Sequence, residues 1–529
     1  MGGMRQCSPG NLPERLSSFV DRRTEAREVK TLLEQARLVT ITGPGGVGKT
    51  RLALQVADGV RRAMPDGAWL ADMSSVQDPV LVPQAVATAL TIHYHGALHP
   101  LDVLAHHLRT SRLLVVLDNC EHVLSGCQDL VSALLPRCPG VRILATSRHR
   151  LESEGEHLFV LWPLPVPGPG QSDAAANPVV QLFYDRAAAV LPGSTLTQSD
   201  TATVVELCRR TEGIPLAVEL AAVRLRSLTA TQLLSGLEQR FSTLSRGSAG
   251  APERQRTLRA VFDWSFDLCT PQERALWMRS SVFHGGFDLD SAAAVCTDRD
   301  LGAEDLADVI AGLVDKSVLH TDMTGTTARY WMLETLLEHG GELLRKSAEP
   351  EQWQDRHRDW CAALVTRAAR ESFGPLERLW SARLPTEHPN IRAALASSLA
   401  GPRQAETGLR IAAGLRFYWF QSGLLSEGRR WLAKLLHQAP ATCPARVAAL
   451  EVAAYLSILQ GEPEIAAPYL EEARALGHQF DDTEGLVKVA YTQGLSCMLT
   501  DRWDEAVPLF MESLRLDPTD GESPSVMTA

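Results

Sequence analysis

Lys49, Thr50, Asp118 and Arg148, with a run of glycines just ahead of the first two, are the residues of this chain whose types and spacing could do chemistry, and that chemistry concerns phosphate groups. Gly43, Pro44, Gly45, Gly46, Val47, Gly48, Lys49 and Thr50 read G-x-x-x-x-G-K-[ST]. Glycines let successive backbone N–H groups turn inward toward phosphate oxygens. Lys49 then reaches the β- and γ-phosphates, and the Thr50 hydroxyl ligates Mg²⁺. Asp118 closes the apolar run LLVVL, and a carboxylate delivered there beside such a loop holds Mg²⁺ directly or through water. Arg148 follows a second apolar run. A fixed guanidinium matches phosphate geometry, so it reads as a sensor of the γ-phosphate.

These side chains need strands and helices to hold them. Residues 38–42 are apolar and β-branched, which predicts a buried strand entering the glycine loop. Residues 51–57, opened by Arg51, have helical apolar spacing, and the N-terminus of that helix adds partial positive charge for an anion. Further strands are expected at 67–71, 113–117, 141–146 and 158–161, with a helix near 80–90. Strands alternating with helices predict a parallel sheet. Residues 162–178 hold several prolines and glycines and read as a linker. Beyond it, 178–245 is helical by pattern, interrupted at Gly213-Ile214-Pro215, where Pro215 starts the helix 216–225.

Length and composition narrow the class. A chain of 529 residues suggests about three or four domains. A net charge of −11 gives the molecule as a whole no electrostatic case for nucleic acid. Ten cysteines occur without a C-x-x-C pair, which argues against zinc and disulfides and for a cytoplasmic, reducing setting. No stretch is long and apolar enough to span a bilayer. The start, MGGMRQCSPG, lacks the apolar core of a signal peptide. His93, His95, His99, His106 and His107 do not share one helical face, so a solvated loop and helix outweigh a metal site there.

FVDRR, GPGGVGKT, LVVLDNCEH, LATSRHRL and GIPLAVELAA occur in this order. Together they resemble the ATPase core of the STAND class (NB-ARC-like), in the version found in bacterial LuxR-type and AfsR-like transcriptional regulators. The resemblance covers roughly residues 10–345. It implies an α/β P-loop NTPase domain with a parallel sheet, followed by helical, winged-helix and all-α TPR-like solenoid domains. It implies ATP or ADP with Mg²⁺ as ligands and Arg148 as the sensor arginine. Pro215 would pack on the adenine, Val20 and Arg22 would lie near the base, and Arg51 joins the nucleotide-binding set. Two departures stand out. Asp21 replaces the glycine of the FVGRE pattern, and Asn119 follows Asp118 where an acid is usual. Asparagine can orient a water but cannot take its proton, so hydrolysis should be slow. Glu121 is a candidate substitute base. After the second wing strand the family often carries Met-His-Asp contacting ADP. Here Met332-Leu333-Glu334 stands in its place, and Glu334 is the candidate ADP contact.

The expected domains are a flexible arm at 1–14, a nucleotide-binding domain at 15–170, a helical domain at 171–250 and a winged helix at 253–345. In the winged helix, segments 258–268 and 271–278 read as helices. Residues 317–319 and 329–333 read as a hairpin around Thr324-Gly325. In STAND proteins this domain is usually an internal lid, and no basic stripe favours DNA here. TPR-like repeats follow at 351–516. Ala466, Pro468, Glu472 and Leu476 recur at a shift of 40 as Ala506, Pro508, Glu512 and Leu516. Trp353, Trp360, Trp380, Trp419, Trp431 and Trp503 are expected as core or seam anchors. The polar tail 517–529, expected to be disordered, ends the array abruptly, as in a truncated or naturally short member. The reading is a nucleotide-controlled regulator, with nucleotide-dependent homo-oligomers and an unidentified protein or small-molecule effector on the repeats. DNA would be reached indirectly or through a module absent here. An ATP hydrolase doing remodelling work, and a TPR-like scaffold with structural nucleotide, are the alternatives.

Overall fold

Short apolar segments pair into a parallel five-stranded sheet: β1 (Leu38–Thr42), β2 (Ala68–Asp72), β3 (Leu114–Asp118), β4 (Arg142–Ser147) and β5 (Glu156–Val160), in the order β2-β3-β4-β1-β5. The three central strands are buried almost throughout and the edge strands less so, as a sheet covered on both faces requires. A computed structural model describes residues 10–13, 22–92, 99–168, 174–190, 200–244, 253–323, 327–372 and 374–517. These fall into two compact units. One comprises residues up to Leu90, Ala105–Ser281 and Gly286–Pro350; the other comprises Thr91–Leu104, Val282–Gly285 and the chain from Glu351.

Helices α1 (Arg23–Gln35), α2 (Lys49–Val60), α3 (Val82–Ala89), α4 (Pro100–Leu108) and α5 (Leu124–Arg137) precede or connect the strands. Ala26, Val29 and Leu33 of α1 and Leu52, Val56 and Ala57 of α2 bury their apolar faces with Val39 and Ile41 of β1. Next come α6 (Pro178–Val190), α7 (Thr201–Arg210), α8 (Pro215–Val223) and α9 (Ala230–Leu244). Then follow α10 (Glu253–Asp267), α11 (Pro271–Ser280), α12 (Leu289–Cys296), α13 (Leu306–Asp315), the antiparallel pair β6 (His320–Asp322) and β7 (Arg329–Trp331), and α14 (Glu334–Arg345). These helices and the hairpin occupy the stretch expected as a winged helix. Capping boxes at Thr270/Glu273 and Asp288/Ser291 start α11 and α12 where their sequences allow it.

The second unit is all helical: α15 (Pro350–Glu371), α16 (Glu377–Ser397), α17 (Pro402–Gly414), α18 (Arg416–Gln421), α19 (Leu425–Gln438), α20 (Ala445–Leu459), α21 (Pro463–Gln479), α22 (Thr483–Leu499) and α23 (Trp503–Leu516). α20 packs on α21 and α22 on α23, as stacked hairpins do. Inside it, Glu427 is wholly buried and receives both Arg392 Nε (2.7 Å) and Arg392 Nη2 (2.6 Å). Burial alone would raise the Glu427 pKa, but Arg392 holds it well below the usual carboxylate range. No helix among the described residues is long and apolar enough to cross a membrane.

The structure departs from the sequence reading in places. Residues 10–13, expected within a flexible arm, are fixed on the edge of β2. Gly10 bridges Ala68, and the Asn11 side-chain amide both donates to Leu70 O (2.9 Å) and accepts from Leu70 N (2.6 Å), standing in for a strand backbone. Residues 317–319 are not strand. Ser317 has φ +55°, and Val318 and Leu319 donate to Leu313 O, so these residues finish α13 and the hairpin begins at His320. Thr324-Gly325, His93, His95, Asp21 and the tail from 518 lie outside the described residues. Of the tryptophans expected as anchors, Trp353, Trp380, Trp419 and Trp431 are buried and Trp360 packs on the core, but Trp503 is 55% exposed.

Removing the Glu427 carboxylate strands a buried guanidinium. Glu427→Ala should therefore destabilise the helical unit by about 3–5 kcal/mol. Arg392→Met with Glu427→Leu should recover most of that loss, as read from the urea midpoint of the helical circular dichroism.

Candidate nucleotide-binding site

Parallel pairing puts the ends of β1, β3 and β4 on one edge, with Thr42 in register with Ser147 and Asp72 with Asp118. The glycine loop leaves β1 there and α2 begins at Lys49, preceded by Gly48 at φ +98°. Gly46, at φ +71°, sits where a Cβ would come within 2.9 Å of Leu216 Cβ, and Leu216 N donates to Gly46 O (3.2 Å). Only glycine lets α8 approach so closely. On the next position, a Cβ at Gly45 would lie 3.0 Å from Thr335 Cγ2 at the start of α14. Two helices remote in sequence thus close on the loop.

Lys49 Nζ donates to Gly43 O (3.0 Å) and Pro44 O (3.2 Å). Burial lowers its pKa, against the pull of Glu121 and Asp118. Thr50 Oγ1 donates to both Asp118 oxygens (2.8 and 3.0 Å), and Thr146 Oγ1 donates to Asp118 Oδ1. Asp118 is pushed up to about 6, first by burial and then by Asp72, with the two threonines pulling the other way. A hydroxyl and a carboxylate in contact at the end of a phosphate loop are hard oxygen donors of the kind Mg²⁺ takes. Asn119 is left-handed (φ +58°), and its N–H donates to Thr146 Oγ1 (3.1 Å).

Arg148 lies between two carboxylates. Its Nε is 3.0 Å from Glu121 Oε1, and its Nη2 donates to both oxygens of Glu338 on α14 (2.8 Å each). Burial opposes its charge, but Glu338 and Glu121 raise its pKa nonetheless. Glu121, the candidate base, is therefore held in an ion pair. Glu334, first residue of α14, is pushed up to about 7 by burial, then by Glu338 and Asp72, against the pull of Arg148.

Leu161, expected to end a strand, and the first residues of the expected linker 162–178 form a hub. Leu161 N donates to Thr42 O (2.7 Å), Trp162 O accepts from Arg22 Nη2 (2.8 Å), and Leu164 N donates to Gly213 O (2.9 Å). Gly213 is at φ +66°, and a Cβ there would clash with Leu164 O at 2.1 Å. Arg22 and the Gly213-Ile214-Pro215 turn are thus tied to the same short segment. Arg51 points elsewhere, pairing with Glu219 of α8 (2.9 Å), and Val20 lies outside the described residues. Residues 43–50, Asp118, Asn119, Arg148 and Glu334 come together; Asp72, Thr146 and Glu338 join them without having been singled out. Asp72 ends β2 as Asp118 ends β3, a signal the sequence does carry. Glu338 is one helical turn beyond Glu334, and nothing local marks it. Among the described residues no His/Cys/Asp/Glu cluster is arranged to hold a metal by itself, and the described cysteines are buried and form no disulfide.

No family model matches the chain. It is 36% identical over 498 residues to a Mycobacterium tuberculosis protein named as an HTH-type transcriptional regulator, which aligns with 92% of this chain and 54% of its own length. A second M. tuberculosis protein, uncharacterized, is 36% identical over 344 residues, 65% of this chain and 85% of that protein. The regulatory protein AfsR of Streptomyces coelicolor is 26% identical over 557 aligned residues, covering 96% of this chain and 53% of AfsR. The chain spans about half the length of the named regulators it matches. Among solved structures it is similar to a STAND protein with a tetratricopeptide repeat sensor from Pyrococcus horikoshii. The TM-score is 0.53 at 14% identity, over 97% of this chain and 72% of that one, a likeness of fold alone.

A carboxylate whose pKa is raised on folding costs stability once it ionises. With Glu334 at about 7 against an ordinary 4.5, the unit holding α14 and the glycine loop should lose stability as pH rises through 5 to 7. Glu334→Gln should flatten that profile and melt above the wild type at pH near 8, as thermal unfolding across this range would read.

Proposed function

This chain belongs to the STAND-class family of P-loop ATPases found in AfsR-like bacterial regulators, and on that footing we propose that it is an ATP/ADP switch acting in the cytosol. In this reading the backbone amides of residues 43–50 cradle the phosphates, and Lys49 bridges the β- and γ-groups. Thr50 and Asp118 hold Mg²⁺, which when bound neutralises charge on the phosphate oxygens. Pro215 and Arg22 face the base, and Glu334 reads the diphosphate state. A third phosphate competes with Glu338 for Arg148. The observation that carries the reading is the placing of Arg148, the residue suited to sense a γ-phosphate, in the grip of a carboxylate on α14. A ligand shifts such an equilibrium only through unequal affinity for its two states, and Arg148 supplies the inequality. With ADP the Arg148–Glu338 contact stands; with ATP it is exchanged and α14 is released. Asn119 beside Asp118 gives no general base, which suits a timer rather than a motor. The helical repeats receive a protein or small-molecule effector. The output is transcriptional control reached through a partner, with DNA contacted indirectly.

Calorimetry with Mg²⁺ should show uptake of ADP and of a non-hydrolysable ATP analogue by wild type and none by Lys49→Ala. Light scattering should give a larger mass with the ATP analogue than with ADP, and an unchanged mass would count against nucleotide-driven assembly. Turnover should fall on the order of 10⁻⁴–10⁻² s⁻¹, the range of switch enzymes without an external activator. Multiple turnover at about 10 s⁻¹ or faster, an ordinary enzyme rate, would overturn the timer. Glu338→Gln should speed ADP release roughly threefold to tenfold, the worth of a partly exposed charged contact.

A further inference from the structure

α23 carries an apolar stripe that its counterpart one repeat earlier lacks. Trp503, Val507, Met511 and Leu514 are 55%, 57%, 47% and 46% exposed, and their spacing sets them on one face of the helix. The repeat itself supplies a control. The shift that aligns Ala466 with Ala506 and Leu476 with Leu516 puts Pro463, Ala467, Glu471 and Arg474 of α21 at these four positions. α21 already has α22 stacked against it, yet Ala467 and Glu471 stay exposed. Arg474, the counterpart of Leu514, is half buried and reaches Gln493 of α22 (2.6 Å) and Glu512 of α23 (3.3 Å), so a following hairpin takes up that end of the face, while its middle, the counterparts of Val507 and Met511, stays in solvent. The packing side of α23 is different: Ala506 and Ser513 are buried, with Ser513 Oγ donating to Val487 O (2.9 Å). A contiguous apolar face of this kind on a stable helix marks a contact surface.

We propose that the stripe is an isologous contact between two copies of this chain, with their α23 helices antiparallel across a two-fold axis. Charge selects the occupant and its orientation. Asp504 and Arg515 are exposed and sit at opposite ends of α23. At about 100° per residue both fall on the same flank of the stripe, roughly 20–40° beyond Met511. A two-fold axis across antiparallel helices brings like flanks together with their ends reversed, so Asp504 of each copy meets Arg515 of the other, twice. A parallel two-fold pairing would bring unlike flanks together and leave Asp504 and Arg515 of the two copies on opposite sides of the contact. The apolar area is on the order of 400 Å² per copy, at the small end for specific interfaces, so the dimer is micromolar and dynamic. It does not rest on the nucleotide reading, because none of these residues belongs to the phosphate site.

The test is sedimentation equilibrium of the full chain, with saturating Mg·ADP, over roughly 0.5–100 µM, a span that brackets a micromolar constant. Wild type should pass from monomer to dimer, and Lys49→Ala should do the same. Met511→Glu with Leu514→Arg gives α23 the residues α21 already carries. That variant should keep its helical signal and melting temperature and stay monomeric. Asp504→Arg should weaken dimerisation about fivefold or more, and adding Arg515→Asp should restore it to within about threefold, since the swapped pairs are again opposite in sign. A wild type that is monomeric throughout overturns the proposal, as does a dimer indifferent to the stripe variant or a charge swap that fails to rescue. A monomeric wild type whose stripe variant melts early would mean that the chain's own residues cover the stripe, and also overturns it. Loss of the dimer in Lys49→Ala would assign assembly to the nucleotide site instead.

Discussion

The glycine loop after β1 offers two adjacent positions without a side chain, and distant helices close on both. α8 comes against Gly46, where a Cβ would meet Leu216, and α14 comes against Gly45, where it would meet Thr335. The same lack of side chains that would let backbone amides turn toward a phosphate lets two other parts of the unit touch the loop backbone directly. Whatever fills the loop is therefore felt by α8 and α14 without any intermediary. That is a physical basis for coupling that requires no long pathway through the core.

Around this loop the charges are arranged unequally. Lys49 and Arg148 face Asp72, Asp118, Glu121, Glu334 and Glu338, and the carboxylates do not all ionise easily together. Asp118 and Glu334 are pushed up to about 6 and 7, while Arg148 is shared between Glu121 and Glu338. A site with surplus carboxylate favours ligands that bring cations, which suits a magnesium nucleotide better than a bare one. It also makes the docking of α14 conditional, because ionising Glu334 costs more beside these neighbours and Glu338 is held there by Arg148.

The helical unit handles buried charge differently. Glu427 and Arg392 are fully paired, bidentate and sealed, with Trp431 Nε1 also within 3.3 Å of Glu427. Such a pair adds little net stability over apolar packing but penalises any misregistered stacking of the helices. In the nucleotide unit, by contrast, Arg148 is about one-third exposed and Glu338 nearly half, so that pair is cheap to break. One ion pair fixes an arrangement and the other can be exchanged, and burial separates them.

The strands, the glycine loop, Thr50 and Asp118 were legible in the sequence because each rests on local chemistry: apolar runs long enough for a strand, glycines where φ must be positive, and a carboxylate one residue past a buried run. The five strands lie within a residue or two of their expected places for that reason. Asn11 on the β2 edge, the hub at Leu161–Leu164 and the exposed side of Trp503 were not legible, since each depends on which remote backbone or helix face lies alongside. Glu338 is the sharpest case. Its type and spacing look like any solvated helix position, and only the packing of α14 against Gly45 carries it to Arg148. Local sequence thus determined what could hold a phosphate; tertiary packing decided what else would be touching it, because contacts between segments 190 residues apart leave no periodicity to read.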